Sequence, residues 1–272
     1  MKVKEIPFSI ARSLVLKSQP IERLQSMDIQ TIPVVVSLTS IPSRLHKVPL
    51  VVRSILTQTR QPQHIVLWLH EGMRHQVPKA LQELVFERFS IRFSPLTCSH
   101  KKLIHTLKDF DATVVVTCDD DFMYHRTWLS ALYQDHLLYP NSVIAHHIRS
   151  IQRDDQGQLK PYKQWRYEPH VDQRSESLLA IGGKGVLYPK NPFDSLFDDV
   201  DLFMRLAPKA DDLWFKAMEL LVGTPVRKCA VEVPEPLPIA GTQTFSLKKE
   251  NVDQDKNLHQ WAALAQQFDL EV

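Results

Sequence analysis

Glycine is scarce in this sequence, with seven residues among 272. Three of the seven fall within four positions, at Gly182, Gly183 and Gly185. Their spacing excludes a P-loop and a dinucleotide-binding fingerprint, because neither glycine pattern is present. Two interpretations of this cluster stay open: a tight turn, or a turn that lets a ligand approach the backbone closely.

Cysteine, long apolar runs and an excess of one charge are also lacking. The three cysteines are scattered without zinc-ligand spacing, which favours reduced thiols in a cytoplasmic protein. No run approaches the roughly 18 apolar residues of a membrane span, and scattered charges in the first 20 positions argue against a secretory signal. The 33 basic and 31 acidic residues nearly balance, so bulk charge is uninformative, and we expect no nucleic-acid partner.

Apolar runs that alternate with helical patterns dominate residues 31–233 and predict one α/β domain. We expect a mostly parallel central sheet with helices on both faces. The predicted strands are 33–38, 64–69, 91–93, 114–116, 143–148 and 226–233. The predicted helices are 47–58, 78–89, 99–107, 126–139 and 211–222.

Two shorter segments flank this domain. Residues 1–30 form an N-terminal appendage with one short amphipathic helix, for which we favour packing on the domain over contact with a membrane surface. Residues 234–272 form a C-terminal tail whose terminal helix packs on the domain.

Three consecutive carboxylates, Asp119, Asp120 and Asp121, follow the buried run 114–116. We call them the acidic triplet. Like charges in series need water, cations or a metal, and carboxylates suit Mg²⁺ or Mn²⁺. If the chain stays extended there, Asp119 and Asp121 point to one side and Asp120 to the other. An acidic turn is the alternative, but the carboxyl end of a strand is where open α/β sheets bind ligands.

Other polar groups follow predicted strands or begin predicted helices. The loop at 39–44 carries Thr39, Ser40 and Arg44, which suit a phosphate or sugar, although a simple turn explains them too. Lys102 begins a helix, where a cation opposes the helix dipole and predicts either a compensating anion or a solvated side chain. Asp211 and Asp212 begin a later helix, as caps or as a general base. The aromatic residues in the polar loop 149–175 suit sugar stacking or a packed lid.

Taken together, these segments resemble a bacterial GT-A-fold glycosyltransferase related to the family 2 enzymes. The resemblance covers roughly residues 32–225 and rests on the order of the segments 35–44, 54–59, 101–103, 116–121, 182–189 and 210–215.

The resemblance implies a GT-A, Rossmann-like sheet and a role for each motif. Asp119 and Asp121 match the D-x-D motif that binds Mn²⁺ or Mg²⁺ and the donor's ribose and diphosphate. From its position on the opposite side of an extended chain, Asp120 is expected to contact the ribose or to cap a neighbouring backbone group. Asp212 matches the base of inverting members, and Asp211 is the weaker candidate. The remaining positions fall near the donor or acceptor: Thr39, Ser40, Arg44, Lys102, Gly182 and Gly183.

The sequence departs from the family pattern in two places. The acidic pair expected after the second strand is absent, and only Glu71 stands there to contact the nucleotide base. A third metal ligand from a C-terminal histidine is common in GT-A enzymes, and His259 matches by position alone.

Three hypotheses follow from the sequence. The first, which we favour, is a metal-dependent and inverting glycosyltransferase that moves a sugar from a nucleotide sugar, with UDP favoured, to a cell-surface glycan or lipid-linked acceptor. Such an enzyme would be cytoplasmic, with peripheral contact to the inner membrane as a further expectation. The second is a sugar-nucleotide nucleotidyltransferase, against which the lack of glycine at 39–44 counts. The third is a non-catalytic glycan-binding protein of the same fold.

Overall fold

The computed structural model describes residues 3–110, 113–169, 175–242 and 254–272. Its first half carries five helices and four strands: α1 (Ile6–Lys17), α2 (Ile21–Leu24), β1 (Thr31–Thr39), α3 (Val48–Leu56), β2 (Gln61–His70), α4 (Lys79–Gln82), β3 (Phe89–Ser94), α5 (Lys101–Asp109) and β4 (Val114–Thr117).

The second half has shorter strands and four more helices. In chain order these are β5 (Phe122–Met123), α6 (Trp128–Leu138), β6 (Val143–Ala145), β7 (Ile148–Ser150), β8 (Arg166–Tyr167), β9 (Leu178–Ala180), β10 (Val186–Tyr188), α7 (Val200–Leu206), α8 (Asp211–Val222), β11 (Val226–Lys228), β12 (Leu237–Pro238) and α9 (Lys256–Phe268).

The main sheet has seven strands in the order β11-β6-β10-β4-β1-β2-β3. Six of them run in one direction, and β10 is antiparallel to both of its neighbours, β4 and β6. The carboxyl ends of the six therefore meet at one edge of the sheet. Because β10 runs the other way, the glycine cluster that precedes it lies at that same edge.

The central strands β1, β4 and β10 are buried on both faces, which explains the nearly continuous valine-rich sequences of β1 and β4. In β4, Val114 and Val116 pack in one core with α3, while Val115 packs in a second core with α5 and α8. The alternation of side chains along a strand sends neighbours to opposite faces. The predicted class, a mostly parallel α/β sheet with helices on both faces, is confirmed.

Three predicted elements are shorter than expected. The helix predicted over 78–89 is only α4, because Phe89 joins β3 and pairs with Ile65 of β2. The strand predicted over 143–148 breaks after β6, and β7 turns into a separate three-stranded sheet with β8 and β9. The last predicted strand, 226–233, ends with β11 at Lys228.

A two-stranded ribbon of β5 and β12 joins the segment after the acidic triplet to the C-terminal part of the chain. The Ile239 N–H donates to the Asp121 carbonyl at 2.8 Å and extends this pairing. Helix α1 lies against α3 and β12, and its Leu16 is buried in the first core. Within the described residues, the helices are all too short or too polar to cross a bilayer.

Candidate functional site

The acidic triplet lies where β4 leaves the sheet, at the edge that gathers the strand carboxyl ends. The backbone turns at Asp120 and Asp121 instead of staying extended. The buried Tyr124 hydroxyl fixes this turn, because it accepts from the Asp119 N–H at 3.0 Å and lies 3.1 Å from the Gly183 carbonyl oxygen. The predicted division, with Asp119 and Asp121 on one side, assumed an extended chain and is wrong for that reason.

Asp120 and Asp121 instead share one partner, Arg44. The Arg44 guanidinium donates to Asp120 at 2.7 Å and lies 3.6 Å from Asp121, and the Ser40 hydroxyl donates to the other Asp120 oxygen at 2.5 Å. Burial raises the pKa of Asp120, and the Arg44 charge opposes that rise. In Arg44 the order is reversed: burial alone would lower its pKa, but Asp120 and Asp121 outweigh it and the pKa is raised. This ion pair fixes the loop 39–44 against the triplet.

Asp119 points the other way and pairs with Lys102. The Lys102 ammonium lies 3.1 Å from Asp119 and 3.2 Å from Asp211, and its side chain is only 6% exposed, whereas that of Asp119 is 40% exposed. Burial would lower the pKa of Lys102, but the surrounding carboxylates raise it well above 10.5. The compensating anion predicted for this helix start is therefore confirmed, in the form of two carboxylates.

Lys101, the neighbour of Lys102, is also buried. Its ammonium donates to the Leu96 carbonyl at 3.1 Å, so the alternative of solvated lysines at this helix start is wrong.

The glycine cluster closes the site from the side of β10. The Gly182 N–H donates to the Asp212 carboxylate at 3.1 and 3.2 Å, and a Cβ at this position would lie 2.8 Å from Asp212 Oδ1. A Cβ on Gly183 would lie 3.2 Å from Asp119 Oδ2. The turn thus needs small residues because two carboxylates pack directly against its backbone. The tight turn, one of the two interpretations of the cluster, is confirmed, because the Gly185 N–H donates to the Gly182 carbonyl at 3.0 Å; close approach of a ligand stays a prediction.

Asp211 and Asp212 start α8, and their pKa values are shifted in opposite directions. Burial would raise the pKa of Asp211, but Lys102, then His100, outweigh it and the pKa falls below its ordinary value. For Asp212, burial and then the Asp211 charge raise the pKa, and Lys102 offsets only part of the rise. One member of the pair is therefore a stable anion, and the other holds a proton more tightly than a free aspartate does.

Three residues suggested by the sequence lie outside this cluster of contacts. The Thr39 hydroxyl donates to the Trp68 carbonyl at 2.8 Å and so joins β1 to β2. Glu71 is exposed just beyond the carboxyl end of β2, and His259 is exposed on α9.

A cavity of about 400 Å³ is lined in part by Lys184, which lies within the glycine cluster. It adjoins the carboxyl ends of β6 and β11 and contains three polar side chains in mutual contact: His147, Lys184 and Glu235. His147 Nε2 lies 3.0 Å from Glu235 and 2.9 Å from the Lys184 ammonium, which also contacts Glu235. Burial lowers the pKa of His147, against the opposing effect of Glu235.

Tyr167 also lines this cavity and is 57% exposed. It belongs to the polar loop 149–175, whose other aromatics, Tyr162 and Trp165, are buried in the second core. The packed-lid interpretation is therefore correct for those two side chains. Sequence reasoning missed Glu235, which lies in the segment assigned to a tail, although His146 and His147, the two histidines that directly follow β6, were a signal for a site there.

Comparisons with known proteins define the fold no further. No family model and no curated protein sequence matches the chain. Among solved structures, one similar chain is 4-diphosphocytidyl-2C-methyl-D-erythritol synthase from Anaerococcus prevotii, at 12% identity and a TM-score of 0.47. The alignment covers 84% of this chain and 95% of that chain. The name of this neighbour corresponds to the nucleotidyltransferase hypothesis, but a similarity this weak carries no argument about the reaction.

Proposed function

We propose that the protein is a nucleotide-sugar-dependent glycosyltransferase in which Asp212 takes the proton of the acceptor hydroxyl. The observation that carries the proposal is the Asp212 carboxylate itself. It is half-buried, its pKa is raised, and the Gly182 N–H orients it toward the same edge as Asp119. A general base works best when its pKa lies near the operating pH, and an ordinary aspartate lies well below it.

The chemistry assigns a separate task to each charged group. The acceptor oxygen attacks the anomeric carbon, the bond from that carbon to the phosphate oxygen breaks, and the nucleoside diphosphate leaves with the bonding electrons. Asp212 receives the hydroxyl proton. Lys102 keeps Asp211 ionised, and that neighbouring charge keeps the pKa of Asp212 high. Arg44 and Ser40 hold Asp120, and through it the loop that would meet the nucleotide.

A divalent cation fits the donor chemistry of the triplet. The structure describes no group of three or more histidine, cysteine, aspartate or glutamate side chains arranged to hold an ion. Mg²⁺, however, is often bound by only one or two carboxylates together with substrate phosphates and water. Asp119 and Asp121 would be those carboxylates; they contact different cations in this structure, Lys102 and Arg44, so holding one ion together would require the turn at Asp120 and Asp121 to change. When bound, Mn²⁺ or Mg²⁺ would neutralise charge on the leaving diphosphate.

The cavity beside Lys184 is the place that we propose for the acceptor. Lys184 lines it and belongs to the same turn as Gly182, whose N–H donates to Asp212, and Tyr167 offers an exposed ring to a sugar face. His147, Lys184 and Glu235 offer donors and acceptors for hydroxyl groups. The acceptor would thus be a glycan or a glycan head group rather than water.

Nucleotidyl transfer is the second candidate. In that reaction a sugar-phosphate oxygen attacks the α-phosphorus of a nucleoside triphosphate and pyrophosphate leaves. The attacking phosphate is already ionised, so the reaction has no need of a base of raised pKa such as Asp212. That difference favours glycosyl transfer.

The test combines ligand binding with product analysis. Nucleoside diphosphates and sugar nucleotides are screened by thermal shift with and without Mn²⁺, because ligands of the folded state raise the melting temperature. Donors that bind are then incubated with protein, and released nucleoside diphosphate is measured. A parallel incubation with nucleoside triphosphates and sugar phosphates measures pyrophosphate.

We expect a UDP-sugar to bind with Mn²⁺ and to yield UDP, and Asp121→Ala to lose both metal-dependent binding and turnover. The exposed Asp201 provides the control, Asp201→Ala, which should leave both unchanged. Pyrophosphate release without UDP release would establish the nucleotidyltransferase instead. Binding without any turnover would support the non-catalytic alternative, and unchanged Mn²⁺-dependent binding in Asp121→Ala would refute the metal assignment.

A further inference from the structure

Helix α1 turns its apolar side chains away from the protein. Phe8 is 70% and Leu14 62% exposed, and the other outward side chains of the helix are also mostly apolar. Together the exposed positions are Ile6, Pro7, Phe8, Ile10, Ala11, Leu14, Val15 and Lys17. This surface, which we call the α1 face, holds five of the large apolar side chains that the described residues leave exposed.

The inward side of α1 is largely polar. The Ser9 hydroxyl donates to the Pro238 carbonyl at 2.8 Å and accepts from the Ala240 N–H at 3.1 Å. Ser13 donates to the Ser9 carbonyl, and Leu16 supplies the one buried large apolar contact of the helix. The helix is thus held by hydrogen bonds on the side where a surface helix normally places its apolar stripe. An apolar face of this kind marks an interaction surface.

A basic cleft of about 350 Å³ adjoins the α1 face. Arg12, Arg23 and Arg126 line it, and none of its lining residues is acidic. In the part of the chain that the structure describes, no ion pair joins these three arginines to a carboxylate. Burial first, and then the charges of Arg12 and Arg126, lower the pKa of the neighbouring His125. The cleft therefore carries uncompensated positive charge.

From these two features we infer that the α1 face and the arginine cleft dock on an anionic lipid bilayer. An apolar helix face inserts at the boundary of head groups and acyl chains, and flanking cations bind the lipid phosphates. Exposed Lys17 adds positive charge at the C-terminal end of the helix, whereas Lys4 at the other end stands beside Glu5. A protein partner would need its own acidic patch to match the cleft, whereas an anionic leaflet supplies phosphate along its whole surface.

The docking surface lies close to the acidic triplet. Ser9 bonds to β12, β12 pairs with β5, and Ile239 bonds to the Asp121 carbonyl. Membrane docking would therefore bring the edge of the sheet that carries the acidic triplet near the bilayer. The inference itself does not rest on the proposed function, because it concerns a different surface and a different ligand.

The experiment is vesicle co-sedimentation of the full chain. Vesicles of phosphatidylcholine alone are compared with vesicles that also contain phosphatidylglycerol, at low and high salt. We expect binding to the phosphatidylglycerol vesicles and its loss at high salt, because screening weakens attraction between exposed charges. Failure to bind phosphatidylglycerol vesicles at low salt would overturn the inference, whatever the enzymatic assays show.

Two pairs of substitutions separate the apolar and the basic contributions. Phe8→Ser with Leu14→Ser should weaken vesicle binding by roughly tenfold or more, because both side chains lose their insertion into the bilayer. Arg23→Gln with Arg126→Gln should weaken it by roughly 25-fold, from about 1 kcal/mol for each cation near the surface. The matched controls are Leu138→Ser, an exposed leucine on α6, and Lys79→Gln with Lys190→Gln.

Circular dichroism and size-exclusion chromatography accompany each variant. Equal losses in the test and control variants would overturn the inference. So would a parent protein that forms dimers through the α1 face and ignores vesicles, because a second copy would then be the partner.

Discussion

Gly182 and Asp212 meet through a backbone amide, with the carboxylate of one residue accepting the N–H of the other at 3.1 Å. No side chain separates them, since a Cβ on Gly182 would lie 2.8 Å from Asp212 Oδ1. The position of the proposed base thus depends directly on the backbone of the turn that precedes β10.

Gly182→Ala should strongly reduce the turnover rate while it changes the free energy of unfolding only a little. The added Cβ must push Asp212 away, and a displacement of about 1 Å in a reacting group can cost roughly 100-fold in rate. Turnover is measured with the donor that the ligand screen identifies, beside a urea melt. Gly72→Ala is the matched control, because its Cβ meets only the imidazole of His70, at 3.1 Å. Equal turnover in both variants would mean that Asp212 is not the base.

Asp211→Asn and Asp212→Asn should change stability in opposite directions at pH 7. Loss of the Asp211 charge leaves Lys102 buried with only Asp119, so we expect destabilisation by about 2–4 kcal/mol. Burial and the Asp211 charge disfavour the Asp212 anion, so the folded protein keeps this carboxyl largely protonated at pH 7 at a cost in free energy. The amide of Asp212→Asn removes that cost, so we expect stabilisation by about 1 kcal/mol. Urea melts measure both changes, and turnover should disappear in Asp212→Asn.

The pH dependence of these two effects is also opposite. The raised pKa of Asp212 means that its contribution is most favourable below the ordinary value of 3.8 and worsens as pH rises toward the folded-state pKa. The gain in Asp212→Asn should therefore shrink between pH 7 and pH 4. The lowered pKa of Asp211 means that its contribution is present above 3.8 and is lost as pH falls through the lower folded-state pKa. A gain that grows toward pH 4 in Asp212→Asn would contradict this assignment.

Arg44 and Asp120 should show strong coupling in a double-mutant cycle. Arg44→Gln leaves two buried carboxylates without their cation, and we expect a loss of about 3 kcal/mol in the free energy of unfolding. Asp120→Asn in the Arg44→Gln background should recover part of that loss. Additive effects of the two substitutions in urea melts would show that the pair does not interact.

Gly185→Ala should destabilise the protein more than Gly223→Ala. Both glycines have positive φ, 108° and 70°, so each alanine meets backbone strain. At Gly185 the new Cβ would also lie 2.5 Å from the Trp128 indole, whereas at Gly223 it meets nothing within 4 Å. We expect a difference of about 1–3 kcal/mol in urea melts, the usual cost of overpacking. A difference near zero would mean that Trp128 moves freely out of the way.

The sequence predicted the first half of the sheet well because local patterns determine it. Runs such as 34–36 and 114–116 are buried on both faces, and β-branched residues in such runs specify strands. The helix predicted over 78–89 failed because its apolar spacing is also satisfied by a turn that delivers Phe89 to β2. Periodicity does not distinguish these cases, since pairing with a distant strand decides between them.

In the candidate site, too, local motifs could be predicted from the sequence, and contacts between distant elements could not. The acidic triplet and the pair at 211–212 were visible as motifs, but the link between them was not. Lys102 joins Asp119 to Asp211 across three separate elements, and this contact exists only because β4, α5 and α8 share one edge of the sheet. The role of Ser9 on the inward side of α1 could not be predicted from the sequence either, because its hydrogen-bond partners lie in and just after β12, at the far end of the chain.

The β5–β12 ribbon sets an order of events during synthesis. The acidic triplet leaves the ribosome with the first half of the chain. Strands β1 to β4 of the main sheet precede it, and β6, β10 and β11 are synthesised later. The backbone bond that holds Asp121 comes from Ile239, which is translated nearly half a chain later. A nascent chain can therefore form strands β1 to β4 of the main sheet before the acidic triplet has its bond from Ile239. Completion of the proposed site coincides with the arrival of the C-terminal segment, which also secures α1.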